Sequence, residues 1–236
     1  MKGCECSAVV FDMDGVIFDS ERLVMESWLT LAERDGYGDM KGVLYRCLGV
    51  NAVETKEIFL EHYGREFPYE AYRKEASRWF HERFDGGRLP LKPGVRELLA
   101  ALQKAGIGAA LASSTREAVV RQELGDAGLL PYFSGLICGD MVKRSKPAPD
   151  IYLAACELLD VPPEQAVAIE DSFNGIRSAH AAGLRPIMVP DLLPPDDEMR
   201  RLSYRIFGDL TEVRRWLLKE EKERGEERQC EEATER

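Results

Sequence analysis

The stretch Ser7-Ala8-Val9-Val10-Phe11-Asp12-Met13-Asp14-Gly15-Val16 decides how this chain is read. An apolar run rich in β-branched residues leads into two carboxylates spaced i, i+2. In an extended strand that spacing puts both side chains on one face. Gly15 then permits a sharp turn, or a close approach of the backbone to a ligand. Like charges this close destabilise each other unless a proton or a cation separates them. The pair fits a metal or acid/base site at the carboxyl end of a strand. It fits equally a helix N-cap or a solvated turn, where Asp is common. The other segments decide between these.

Downstream of this strand the pattern turns helical. Residues 20–35 carry Leu23, Met25, Trp28, Leu31 and Ala32 among polar positions, with Ser20 as N-cap and Glu21 at the positive helix end. Further helices are expected over 40–48, 52–63 and 69–84, the last with the stripe Tyr69, Tyr72, Ala76, Trp79, Phe80 and Phe84. A stripe of that spacing reads as packing. Nothing strand-like occurs between Val16 and Leu91.

After Lys92-Pro93-Gly94 the texture becomes strand–helix alternation. Strands are expected at 107–112, 135–138, 166–169 and 185–189, with a weak one at 204–207; helices are expected at 95–104, 116–124, 150–159, 173–182 and 210–218. Repeated βα units with apolar strands imply a parallel sheet covered on both faces. The expected fold is therefore α/β, a doubly wound parallel sheet with an inserted all-helical cap. Residues 1–18 and 90–218 form the core in this reading, 19–89 the cap, and 219–236 a charged tail expected to be disordered.

Composition narrows the function. The chain has 236 residues, 44% hydrophobic and 31% charged, with a formal net charge of −10. That balance is ordinary for a globular protein and argues against nucleic-acid or anionic-membrane partners, which select a basic stripe. No apolar run approaches the ~18 residues of a membrane span, and acidic Glu5 and Asp12 argue against a leader peptide. The six cysteines (Cys4, Cys6, Cys47, Cys138, Cys156, Cys230) form no disulfide framework, and Cys4-Glu5-Cys6 has no second pair at zinc spacing. A cytoplasmic monomer is expected.

In open α/β sheets, ligands bind outside the carboxyl ends of the strands. The first strand ends in Asp12 and Asp14; the next in Ser113-Ser114-Thr115-Arg116, hydroxyls feeding a helix N-terminus, which form either an anion site or an N-cap. A polar loop holds Lys143, Arg144 and Lys146 among prolines, and the last buried strand ends in Glu170-Asp171-Ser172. Four polar strand ends in one sheet exceed what capping needs. Asp12, Asp171 and Glu170 offer oxygens suited to Mg²⁺, and Ser113 and Lys146 can neutralise phosphate. A carboxylate can act as a covalent nucleophile while its neighbour moves a proton.

Asp12-x-Asp14-Gly15-x-x-x-Asp19-Ser20, the strand-terminal Ser113, Ser145-Lys146-Pro147-x-Pro149-Asp150 and Glu170-Asp171-Ser172-x-x-Gly175 resemble the four motifs of the haloacid dehalogenase-like superfamily. The helical block sits where that superfamily inserts its α-helical type 1 cap. The resemblance implies a nucleophile at Asp12 that becomes an aspartyl-phosphate, and an acid/base at Asp14. It implies phosphate binding by Ser113, Ser114 and Lys146. It also implies a Mg²⁺ site of Asp12, Asp14 (through its backbone carbonyl), Glu170 and Asp171.

Within the superfamily, Asp14 argues for phosphoryl transfer rather than dehalogenation. β-Phosphoglucomutases are similar through the lysine and Glu170-Asp171-Ser172 motifs, but they carry a cap histidine where Val24 stands and a cap arginine where Ala52 stands. Asp19-Ser20-Glu21 resembles the sugar-phosphate phosphatases instead. The expected activity is Mg²⁺-dependent hydrolysis of a small phosphorylated metabolite, with a phosphosugar mutase as the alternative. A receiver-type module and a non-catalytic phospho-ligand binder are the readings from other classes; the first lacks such an insert and the second has no need of both carboxylates. His62, His81 and His180 read as surface or packing residues. The expected specificity residues at the mouth are Ser20, Val24, Arg46, Asn51 and Arg116.

Overall fold

Every residue of β1 (Ala8–Phe11) is buried, as an all-apolar strand must be when both faces of its sheet are covered. Its alternation divides the core. Val9 and Phe11 face one layer with Leu98, Leu102 and Val213; Val10 faces the other with Ala110, Tyr152 and Ala179. The computed structural model describes residues 6–48 and 52–219.

The first layer is built by α5 (Val95–Ala105), α6 (Glu117–Asp126) and α10 (Leu210–Leu217), and the second by α7 (Asp150–Leu158) and α8 (Phe173–Ala181). Between them lie β2 (Gly108–Ser113), β3 (Gly135–Cys138), β4 (Ala166–Glu170), β5 (Arg185–Met188) and β6 (Arg205–Ile206) with β1, all parallel, in the order β3-β2-β1-β4-β5-β6. The order reverses direction at β1, between β2 on one side and β4 on the other. That is the position where such sheets open a crevice at their carboxyl edge.

Between β1 and α5 the chain forms four helices, α1 (Ser20–Asp35), α2 (Met40–Cys47), α3 (Ala52–Tyr63) and α4 (Tyr69–Phe84). They enclose a separate aromatic core in which Trp28 lies 4.8 Å from Phe59, 5.9 Å from Tyr69 and 5.4 Å from Tyr72, centroid to centroid. Rings at such distances add to the burial energy. The fold is thus an α/β core carrying an all-helical cap. Its two connections are paired: Asp19 N donates to Pro90 O and Lys92 N to Ile17 O, both at 2.9 Å, with Phe18 bridged to Leu91.

The structure corrects three local expectations. Ser20 does not cap α1; Asp19 holds the N-cap position without a side-chain cap bond, and Ser20 turns inward. The weak strand is shorter than read, reduced to Arg205–Ile206. A short helix, α9 (Asp197–Leu202), went unread because its six residues follow Pro194-Pro195; Asp196 caps it by accepting from Met199 N at 2.8 Å. Cys4, Asn51 and residues 220–236 lie outside the described residues. Among those described, no helix is long and apolar enough to cross a membrane.

Phe59 is fully buried at the centre of the cap aromatics. Phe59→Ala should lower the unfolding free energy of the cap by about 3–5 kcal/mol in a denaturant titration, and Phe59→Leu by clearly less. Equal, small losses in both variants would show that the cap does not depend on this ring cluster.

Candidate active site

Asp12 is the residue where β1 stops being apolar. Its N–H still donates to Ile169 O at 2.9 Å, so the strand geometry carries the carboxylate to the sheet edge. Beyond it, Ile17 N and Phe18 N both return to Met13 O, at 2.8 and 3.1 Å, winding the chain into one tight turn. Gly15, at φ 79°, sits inside that turn. A Cβ there would lie 2.3 Å from Asp171 Oδ2, so the glycine makes room for a carboxylate arriving from β4.

Lys146 reaches the site from the loop after β3. Its ammonium donates to Asp12 Oδ1, to Ala112 O at 2.9 Å and to Glu170 Oε1 at 2.7 Å. Its side chain is 6% exposed. Glu170 is buried completely and its oxygens are fully engaged. Tyr152 OH donates to Oε1 at 2.8 Å; Asp171 N, Ser172 N and Ser172 Oγ donate to Oε2 at 3.2, 3.2 and 3.0 Å. A Cβ on Gly175 would fall 1.8 Å from Glu170 Cδ, which explains a glycine at that point of α8.

Carboxylate oxygens of Asp12, Glu170 and Asp171 lie within 4.8 Å of one another. Two of these acids, Asp12 and Glu170, share one ammonium, and Asp171 stands beside them. Burial pushes the Asp12 carboxyl well up, against the opposing charge of Lys146, with Glu170 and Asp14 adding to the rise. Burial pushes Asp171 up as well, reinforced by Glu170 and Asp12. Burial opposes the charge of Lys146, but Asp12 and Glu170 together outweigh it and hold the lysine protonated. Such a site needs protons or a cation to balance it. The donor set is hard and all-oxygen, which fits Mg²⁺. Asp12 and Asp171 have oxygens to offer; Glu170, already saturated, is placed to hold Lys146 and the turn that carries Asp171.

Asp14 is held differently. Ser20 Oγ donates to its Oδ1 at 2.7 Å and Thr115 Oγ1 to its Oδ2 at 3.1 Å, one hydroxyl from the cap and one from the core. Ser113 is fully buried at the end of β2 and its Oγ accepts from Thr115 N at 3.1 Å. Ser114, the next residue, is exposed.

Above Asp14 opens a cleft of about 680 Å³ between cap and core. Helix α1 turns Ser20, Val24 and Trp28 toward it, α4 turns Arg73, Ser77 and His81, and α6 with its N-cap turns Arg116, Val119 and Glu123. Of the five expected specificity residues, Ser20, Val24 and Arg116 line the cleft. Arg46 does not: it is an exposed residue of α2, 3.6 Å from Glu61, because that face of α2 looks away from the core. Asn51 is outside the described residues.

Several residues here escaped the sequence reading. Arg73, Ser77 and His81 recur at i, i+4 and i+8 on α4, and Val119 and Glu123 follow the expected Arg116 at i+3 and i+7, spacings that mark a shared helix face. His81, read as a surface or packing residue, is on the surface and bonded to Asp85 Oδ1 at 2.9 Å, and that surface is the cleft wall. Thr115 had a signal in its hydroxyl just past a strand end. Tyr152 had none.

A family model described as haloacid dehalogenase-like hydrolase matches residues 6–183. The phosphorylated carbohydrates phosphatase of Thermotoga maritima is 37% identical over 184 residues, 76% of this chain and 83% of that protein. Among solved structures, a HAD family hydrolase from Deinococcus radiodurans with bound phosphate and sodium superposes with a TM-score of 0.75 at 27% identity, covering 92% of this chain and 96% of the other. A variant of CbbY from Rhodobacter sphaeroides in complex with xylulose-(1,5)bisphosphate gives 0.68 at 30% identity, with 88% and 96% covered. With its carboxylate cluster at the switch point of the sheet and a helical cap over it, the chain belongs to the haloacid dehalogenase-like hydrolases.

Proposed function

We propose that the protein is a Mg²⁺-dependent phosphatase acting on a small phosphorylated metabolite, a sugar phosphate, through an aspartyl-phosphate at Asp12. The observation that carries this reading is the division of labour between two carboxylates on one strand end. Asp12 faces Lys146 and the acid cluster; Asp14 faces two hydroxyls and the cleft. The related phosphorylated carbohydrates phosphatase and the sugar-bisphosphate complex of CbbY support the substrate class. Residues 1–18 and 90–218 serve as the catalytic core and 19–89 as the cap, a division supported by the pairing of residues 17–19 with 90–92.

An Asp12 carboxylate oxygen attacks phosphorus, forming the acyl-phosphate bond as the bond to the leaving oxygen breaks. Asp14 supplies the proton that the leaving alkoxide takes up, held in position by Ser20 and Thr115. Asp14 then removes a proton from water, whose oxygen attacks the same phosphorus and releases Asp12. Lys146, fixed between Asp12, Glu170 and Ala112 O, and the hydroxyl of Ser113 neutralise the phosphoryl oxygens. Asp12, Asp171 and the Asp14 carbonyl would hold Mg²⁺, which when bound would supply charge neutralisation for the phosphoryl group. Hydrolysis rather than mutase chemistry is favoured because Val24, an apolar side chain, occupies the cleft beside Ser20.

Asp12→Asn should abolish turnover of p-nitrophenyl phosphate while leaving the melting temperature close to wild type; near-wild-type turnover would overturn the assignment of the nucleophile. Asp171→Asn should raise the Mg²⁺ concentration for half-maximal activity by at least about tenfold, and chelation with EDTA should silence the wild type. Full activity after chelation would remove Mg²⁺ from the reading. A screen of sugar phosphates with β-glucose 1-phosphate included separates phosphatase from mutase by free phosphate against isomerised ester.

A further inference from the structure

Among the ionisable groups of the cleft that have no task in the reaction described above, Glu123 is the carboxylate. Glu123 shares a face of α6 with Arg116 and Val119 and lines the cavity that holds Asp14. On the same helix Arg121 and Glu117 are paired, Arg121 donating to Glu117 Oε1 at 2.6 Å. The Glu123 carboxyl has no hydrogen-bond or ion-pair partner among the described residues. The nearby His81 is engaged by Asp85 at 2.9 Å. Burial, then the charges of Asp14 and Asp85, push Glu123 up to about 7, with His81 opposing. An acceptor turned partly from water and left without donors is destabilising. A fold that only needed to fill this place would do better with an apolar residue, as at the neighbouring Val119.

The cavity indicates what supplies the missing donors. Its polar wall carries the hydroxyls of Ser20, Ser77 and Thr115 together with Arg73, His81 and Arg116, and none of these bonds to Glu123 among the described residues. A leaving group protonated by Asp14 projects into this space. The two oxygens of a carboxylate match two neighbouring hydroxyls. We propose that Glu123 is a specificity-determining residue that accepts hydrogen bonds from hydroxyls of the leaving sugar. The inference rests on the phosphatase reading and deepens it.

The test uses the Mg²⁺-loaded full chain with glucose 6-phosphate, ribose 5-phosphate and fructose 1-phosphate, and p-nitrophenyl phosphate as a leaving group without hydroxyls. Wild type should prefer at least one sugar phosphate. In Glu123→Gln, which keeps shape and replaces one acceptor oxygen by a donor, the ratio of kcat/KM for that sugar to kcat/KM for p-nitrophenyl phosphate should fall about tenfold or more, chiefly through KM. Glu123→Asp should recover part of the ratio. An unchanged ratio, a parallel loss on both substrates, or a wild type that cleaves p-nitrophenyl phosphate but none of the sugars would overturn this role while leaving the phosphatase reading intact. Loss of all turnover in wild type would instead remove that reading, and this one with it.

Discussion

The structure depends on one shared ammonium. Lys146 is the only cation among Asp12, Glu170 and Asp171 in the described site, and it is buried with them. A buried ion pair is rarely a net gain in stability, because removing both charges from water costs about as much as their attraction returns. The arrangement is better understood as preorganisation. Tyr152, two backbone amides and the Ser172 hydroxyl saturate Glu170, so Glu170 cannot wander and Lys146 is aimed at Asp12. The excess negative charge then calls for protons or a cation to balance it.

Much of the surrounding architecture follows from accommodating these groups. Gly15 and Gly175 are glycines because carboxylates occupy the space where a Cβ would be. The reversal of strand order at β1 brings the ends of β2 and β4 to either side of Asp12, so residues more than a hundred positions apart meet without long loops. The cap contributes through Ser20, whose hydroxyl holds Asp14 beside that of Thr115. The Asp14 carboxylate is therefore gripped from both cap and core. A change in cap position is felt directly at Asp14.

The fold was legible because its signals are local. Fully apolar strands such as Ala8–Phe11 and four successive helical patterns between Ser20 and Phe84 have few alternative readings. The strand-end residues were legible for the same reason: parallel sheets deliver them to one edge. The cleft was harder. Hydrophobic periodicity identifies the buried face of a helix, such as Tyr72, Ala76 and Phe80 on α4, but not which polar face meets another body. Arg73, Ser77, His81 and Glu123 therefore looked like ordinary solvated positions, and Arg46 was placed at a mouth it does not reach. The reversal of Ser20, from helix cap to partner of Asp14, has the same origin: the sequence shows a hydroxyl at a helix start, not what lies opposite it.

The central claim is that Asp12 takes the phosphoryl group covalently. Its most direct test is to mix Mg²⁺-loaded enzyme with excess phosphorylated substrate, quench in acid within one turnover, and map the digest by mass spectrometry. The account predicts a phosphoryl group on the peptide containing Asp12 and on no other. A substrate that is hydrolysed with no phosphoryl-enzyme at any quench time, or with the label on a different residue, would contradict it.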